Sequence, residues 1–200
     1  MQGEARAWEL LAALDPRDVC ERAEADYSPG EGSYTLAVFG RPVVVTPSTR
    51  TMSGSCAESE FVLTKAGYFS RLSILHYLVG AQKIPPAGQL VKPSDLKAGQ
   101  IYLQGSHVLP LDQMAARFAR DADGFLAQAA RFGGRQRAYG DAGVKLRPLP
   151  RLPVTLVFWR EDDEFPARGE LLFDATCEQH VPGDILWSIA MLCMKVMLQP

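Results

Sequence analysis

At 200 residues the chain is long enough to close one good hydrophobic core and short for two. Its hydrophobic content of 47% is that of an ordinary globular protein, and a formal net charge of −2 argues against a dedicated nucleic-acid binder, which carries a basic excess. No run reaches the ~18 apolar residues of a membrane span. The start, Met1-Gln2-Gly3-Glu4-Ala5-Arg6, lacks a basic stretch followed by an apolar signal core, so a cytoplasmic protein is expected.

The first element expected is helical, over residues 4 to 25, where Ala7, Trp8, Leu10, Leu11, Leu14 and Val19 fall near helical spacing and Pro16 marks a break or a new first turn. A turn region follows from Tyr27 to Gly32. Tyr34 to Phe39 and Pro42 to Thr46 read as a hairpin about Gly40-Arg41. The small polar residues from Pro47 to Ala57 read as a loop. Glu60 to Val79 reads as a helix with Phe61, Leu63, Tyr68, Leu72, Leu75 and Leu78 on its apolar stripe.

Gly80 to Gly99 is rich in Pro and Gly and reads as an irregular crossing, with one short turn at Ser94-Asp95-Leu96 and a brief strand at Ile101 to Leu103. Leu111 to Phe132 reads as one long or two consecutive helices that break near Asp123-Gly124 and stop at Gly133-Gly134. Arg135 to Leu152 is turn-rich and basic. The apolar runs from Val154 to Trp159 and from Gly169 to Phe173 flank Glu161-Asp162-Asp163-Glu164 and Pro166, which predicts a hairpin with an acidic tip. Ile185 to Leu198 closes the chain as an apolar helix, with Asp184 as its N-cap and Pro182 just outside. The order predicts an α+β fold, in which an antiparallel sheet with hairpins is packed by three or four helices as a single domain over residues 1–200.

Four places could carry chemistry. Asp162, Asp163 and Glu164, with Asp174 brought near if the strands pair, offer oxygens to a ligand or a hard cation; Arg151, Arg160 or Arg168 would otherwise answer them as an internal ion network. Cys177 and His180 stand at a spacing used by zinc ligands but need a third and fourth donor. Cys56 precedes the expected helix, where amides favour a thiolate. His76 or His107 would then be its base and Asp141 or Asp174 the orienting group, although Glu58 and Glu60 oppose a thiolate. The scattered Cys20, Cys56, Cys177 and Cys193 contain no CxxC pair and read as free thiols. Arg131, Arg135, Arg137, Lys145, Arg147 and Arg151 form a basic cluster, read as a solvated face with a polyanion contact as the alternative.

Gly133-Gly134, Asp141, Pro148-x-x-Arg151-Leu152-Pro153, Trp159-x-x-Asp162-Asp163-Glu164-Phe165-Pro166-Ala167 and Leu172-Phe173-Asp174 together resemble an uncharacterised domain-of-unknown-function family. Its members occur largely in anaerobic bacteria and archaea, and some are joined to iron–sulfur or corrinoid-related modules. The resemblance is strongest over residues 132 to 187 and looser over Leu75 to Gly99. It implies a shared fold and carries no catalytic residues. This company bears on His76, which lies in the apolar stretch Ile74-Leu75-His76-Tyr77-Leu78. The bland reading is a hydrogen-bonded core histidine; the alternative is an axial ligand to a non-covalent tetrapyrrole, heme or corrinoid. Neither a CxxCH nor a DxHxxG pattern is present, and the ferredoxin-type cysteine run is missing too.

The function expected is therefore an accessory domain of anaerobic redox or one-carbon metabolism that binds a small ligand or metal-bearing cofactor through His76, His107, Asp162, Asp163, Glu164 and Asp174. Two alternatives stand beside it. One is a protein-interaction module, including a homodimer, that uses the acidic tip or the last helix. The other is a cysteine-dependent enzyme with Cys56 as nucleophile. Neither a nucleic-acid nor a membrane partner is expected.

Overall fold

The computed structural model describes residues 2–97, 99 and 108–199. Residues 101 to 103 and His107 therefore lie outside the described residues. Two helices open the chain, α1 (Gln2–Ala13) and α2 (Pro16–Ala23). Pro16 begins a new helix because its missing N–H is harmless in a first turn, and the Asp15 carboxylate caps that turn by accepting from Arg17 N at 2.8 Å. A four-stranded antiparallel meander follows: β1 (Asp26–Ser28), β2 (Ser33–Val38), β3 (Arg41–Thr46) and β4 (Thr51–Gly54). Next come α3 (Ala57–Thr64) and α4 (Gly67–Gly80), then β5 (Leu90–Val91), a 3-10 turn at Pro93–Asp95, α5 (Leu111–Phe118) and α6 (Ala122–Arg131). The strands β6 (Arg135–Arg137), β7 (Ala142–Leu149), β8 (Leu152–Trp159) and β9 (Arg168–Asp174) and the helix α7 (Gly183–Met197) complete the chain.

The second sheet has the order β5-β9-β8-β7-β6, all antiparallel. The fold is α+β as expected, with two antiparallel sheets rather than one. One hydrophobic cluster runs from Ala7 to Met197. Helix α4 packs on α1, α2, α3 and α7, and its Ile74, Leu75, Tyr77 and Leu78 have no exposed surface. Helices α5, α6 and α7 cover one face of the five-stranded sheet, where Phe125 of α6 stacks on Phe158 of β8 with ring centroids 5.3 Å apart. Successive strand residues alternate in direction, and cross-strand partners share a face. The opposite, outer face is therefore Lys145 on β7, Thr155, Val157 and Trp159 on β8, and Arg168, Glu170, Leu172 and Asp174 on β9.

Several boundaries depart from the sequence reading. The first hairpin turns on Phe39-Gly40, not Gly40-Arg41, and both residues have positive φ (51° and 72°). Phenylalanine tolerates this because its ring is buried against Phe132 and its N–H reaches Pro148 O across to β7, so tertiary packing outweighs local preference. The expected loop from Pro47 to Ala57 contains β4, and the turn-rich basic stretch contains β6 and β7. The break between α5 and α6 falls before Asp121, whose carboxylate caps Gly124 N at 2.8 Å. Helix α7 begins at Gly183 after Pro182, which leaves Asp184 inside its first turn rather than capping it.

Candidate functional site

The acidic-tipped hairpin forms as read. Strands β8 and β9 pair from Val154↔Phe173 out to Trp159↔Arg168, and residues 160–167 make the tip. The last pair is an aromatic ring and a cation directly opposite each other, and the Arg168 guanidinium carbon lies 4.1 Å from the Trp159 ring centroid. That geometry is a cation–π contact, worth about 0.5–1 kcal/mol at an exposed site. The turn joining β6 to β7 also approaches the ring. A side chain at Gly140, where φ is +57°, would meet Phe158 O at 2.7 Å and the Trp159 ring at 3.2 Å. The indole thus stacks with a guanidinium and leaves no room for a side chain at position 140.

The acids of the tip divide into committed and free. Glu161 pairs with Arg120 at 2.7 Å while its N–H donates to Ala119 O, which ties the tip to the end of α5. Asp162 Oδ1 accepts from Glu164 N at 2.9 Å and Phe165 N at 2.7 Å, and its own N–H donates to Phe165 O, which makes a closed Asx-type turn. Those two N–H donors hold the Asp162 carboxyl below its ordinary range. Asp163 and Glu164 are exposed and make no side-chain hydrogen bond or ion pair with the described residues. Across the recess, Asp141 Oδ2 accepts from Arg160 N at 2.9 Å.

Together Asp141, Trp159, Arg160, Asp162, Phe165, Pro166 and Arg168 line a recess of about 490 Å³. A shallower hollow of about 340 Å³ continues from it, sharing Asp141, Arg160 and Asp162 and adding Arg120 and Glu161. Of the three acids singled out at the tip, only Asp162 lines the recess. Phe165 at its lip is 66% exposed. Arg168 makes no ion pair with any described residue, so the recess offers an uncommitted cation beside apolar walls.

Asp174 does not join the acids of the tip. It ends β9 at the other end of the hairpin, pairs with Leu90 of β5 and is 2% exposed. Its oxygens accept from Ala87 N (2.9 Å), Gly88 N (2.7 Å), Thr176 N (3.1 Å) and Thr176 Oγ1 (2.8 Å). Burial raises its pKa, the donors at Thr176, Ala87 and Gly88 lower it, and the net result lies below the ordinary carboxyl value. Six residue steps at ~3.3 Å each separate it from Arg168. Arg151 does not answer the tip either. Its guanidinium donates to Arg22 O at 2.8 Å and pairs with Glu24 at 3.1 Å, which satisfies the C-terminal end of α2. Arg160 stands 4.0 Å from Asp141, and the tip acid that is answered, Glu161, is answered by Arg120.

Cys177 is fully buried, and burial pushes its thiol up to about 12. His180 is 1% exposed; its Nδ1 accepts from Gln82 N at 3.3 Å, and its Nε2 has no partner among the described residues. Burial, then the neighbouring Arg151 charge, lowers its pKa, so the ring is neutral with its proton on Nε2. Among the described residues no group of three His, Cys, Asp or Glu side chains could hold a metal ion. Cys56 is the N-cap of α3, with Sγ 3.3 Å from Ser59 Oγ, and it also bonds the Glu58 carboxylate. No described histidine is among these contacts, and Asp141 and Asp174 both accept from backbone N–H groups; His107, the other base considered, lies outside the described residues. His76 is half-buried on α4, with a pKa lowered by burial and opposed by Asp184. It lines neither hollow of the tip, and the lining of those hollows contains no histidine or cysteine that could serve as an axial ligand.

In the sequence Arg168 stands only as a possible answer to the acids and Trp159 and Phe165 only as motif residues, yet all three line the recess. The available signal was symmetry: Trp159 and Arg168 stand equally far from the centre of the turn, the position of a cross-strand pair.

The molecule thus has an α+β fold whose five-stranded antiparallel sheet is covered by helices on one face and carries a recess at the tip of its β8–β9 hairpin. The chain belongs to the family described as Domain of unknown function (DUF3786), whose model matches residues 15–196. No curated protein and no solved structure matches it. No helix among the described residues is long and apolar enough to cross a membrane.

Proposed function

We propose that this protein is a non-catalytic accessory domain that binds a small ligand in the recess at the β8–β9 tip. The observation that carries the reading is the set of uncommitted groups around that hollow. Arg168 is stacked on Trp159 without an ion-pair partner, and Phe165 and Pro166 supply apolar walls, while the carboxylates of Asp141 and Asp162 are already occupied by backbone donors. Such a lining suits a flat ligand with an apolar body and a carboxylate or comparable anionic group, which a guanidinium recognises by paired N–H donors. A metal-bearing cofactor would have to bring its own axial ligands here. The setting in anaerobic redox or one-carbon metabolism rests on the family resemblance.

Native mass spectrometry of protein purified without oxygen tests this. A small-molecule adduct is expected in the unaltered protein and lost in Trp159→Ala and Arg168→Ala, each checked for folding by circular dichroism. An adduct that survives both substitutions, or none under any purification, overturns it.

A second reading is favoured by one observation. Phe165 is a large aromatic left mostly exposed among acids, which is the composition of a protein-docking anchor. Helix α7, the other surface considered for docking, is spent inside: Ile185, Leu186, Ile189, Leu192, Met194 and Met197 are all buried. A Phe165→Ala variant that loses a co-purifying protein but keeps any small-molecule adduct would select this reading.

A further inference from the structure

At the other end of the outer sheet face, the chain places cations that no described residue pairs with. Arg135 lies directly opposite Lys145 across β6 and β7, and Arg137 opposite Gly143. Alternation puts Arg135, Arg137 and Lys145 on one side of this ribbon. Like charges set face to face cost stability in a sheet. None of the three makes an ion pair with a described residue. The residues outside the described set cannot supply one from a side chain, because Met1, Ala98, Gln100 to His107 and Pro200 include no Asp or Glu.

Beside these cations lies a basin of about 100 Å³ lined by Gly88, Leu90, Arg137, Tyr139, Lys145, Pro153, Thr155 and Asp174. Thr155 is 3% exposed, and its hydroxyl has no hydrogen-bond partner among the described residues. That oxygen is not sealed off from solvent, and the residue lines the basin. Tyr139 is brought over the basin because position 143 is glycine; a Cβ there would meet Tyr139 Cβ at 3.0 Å.

We propose that this basin binds a phosphate group. Arg137 and Lys145 supply positive charge, and the Thr155 and Tyr139 hydroxyls supply further donors. Asp174 forms the floor of the basin with its carboxylate already taken by the Ala87, Gly88 and Thr176 donors, so the anion is held by the cations and hydroxyls at the rim. The site is distinct from the tip recess: Thr155 and Trp159 are four residues apart on β8, about 13 Å.

Isothermal titration calorimetry with inorganic phosphate, glycerol phosphate and sulfate tests the proposal on the intact chain. Phosphate is expected to bind, and sulfate, a tetrahedral oxyanion too, to compete with it. Arg137→Gln and Lys145→Gln should each weaken phosphate about tenfold, the loss of one charge-assisted hydrogen bond. Thr155→Val should weaken it by a smaller factor while leaving the fold intact by circular dichroism. Tighter binding of glycerol phosphate than of inorganic phosphate would assign the site to a phosphorylated small molecule, and the reverse to the free ion. Phosphate binding that survives both charge substitutions, or no binding of phosphate, overturns it. A single-stranded oligonucleotide that binds through the same cations while both phosphate probes fail would also overturn it, in favour of a nucleic-acid contact.

Discussion

The two ends of the β8–β9 hairpin both present carboxylates, and they use them differently. At the tip, Asp163 and Glu164 are exposed and have no side-chain partner among the described residues, and Asp162 orders its own turn. At the foot, Asp174 is buried and takes donors from three separate residues, holding the crossing segment at Ala87-Gly88 against the turn at Thr176. The residue type is nearly the same; what differs is the number of N–H groups the backbone aims at each. A carboxylate that collects several buried donors becomes a structural joint, and one that collects none is left for solvent or a partner.

The sharpest way to break this contrast is Asp174→Ala. Two or more buried N–H groups would lose their acceptor, and the unfolding free energy in urea should fall by about 3 kcal/mol or more. If it moves by less than about 0.5 kcal/mol, the joint does not exist. Next in size is Gly140→Ala at the tip side. Its positive φ and the 2.7 Å approach to Phe158 O should cost about 1–2 kcal/mol. The same change should shift the emission of Trp159, read against a Trp159→Phe control.

Acid titration separates the two ends further. The folded pKa of Asp174 lies below its unfolded value, so its contribution is fully present above about pH 3.9 and is lost as pH falls through the folded value. His180 and His76 are also depressed. Their contribution is full above about pH 6.5 and is lost as pH falls through their folded values. Stability followed by urea midpoint from pH 7 to pH 3 should therefore decline in two stages, and the upper stage should shrink in His180→Gln. An unchanged upper stage would show that His180 does not titrate with folding. The smallest effect is expected from Asp163→Asn with Glu164→Gln, which should leave the urea midpoint in place. A clear destabilisation would mean that these acids have an internal partner.

The legible and illegible parts of the sequence have physical causes. Val154 to Trp159 could be read as a strand because β8 is central and apolar on both sides of the pleat. Strand β7 is hidden by its own exposure: Val144 and Leu146 point into the core while Lys145 and Arg147 point outward, and in sequence that alternation reads as a basic loop. The Phe39-Gly40 turn was displaced by one residue because a distant ring, Phe132, decides it. At the candidate site, the acids were visible as a run, but Arg168 and Trp159 become neighbours only through pairing. Asp174 looked like one of the tip acids until the length of β9 was known. Its true partners, Ala87 and Gly88, are backbone donors, which leave no mark in side-chain chemistry.

The five-stranded sheet ends in very short strands, two residues at β5 and three at β6, and the latter reads Arg-Gln-Arg. Such borders offer little open ladder, and the arginines repel an incoming strand of like sequence. The chain is thereby protected against sideways stacking into fibrils, and concentrated solutions should stay clear where a longer, uncharged border would seed growth.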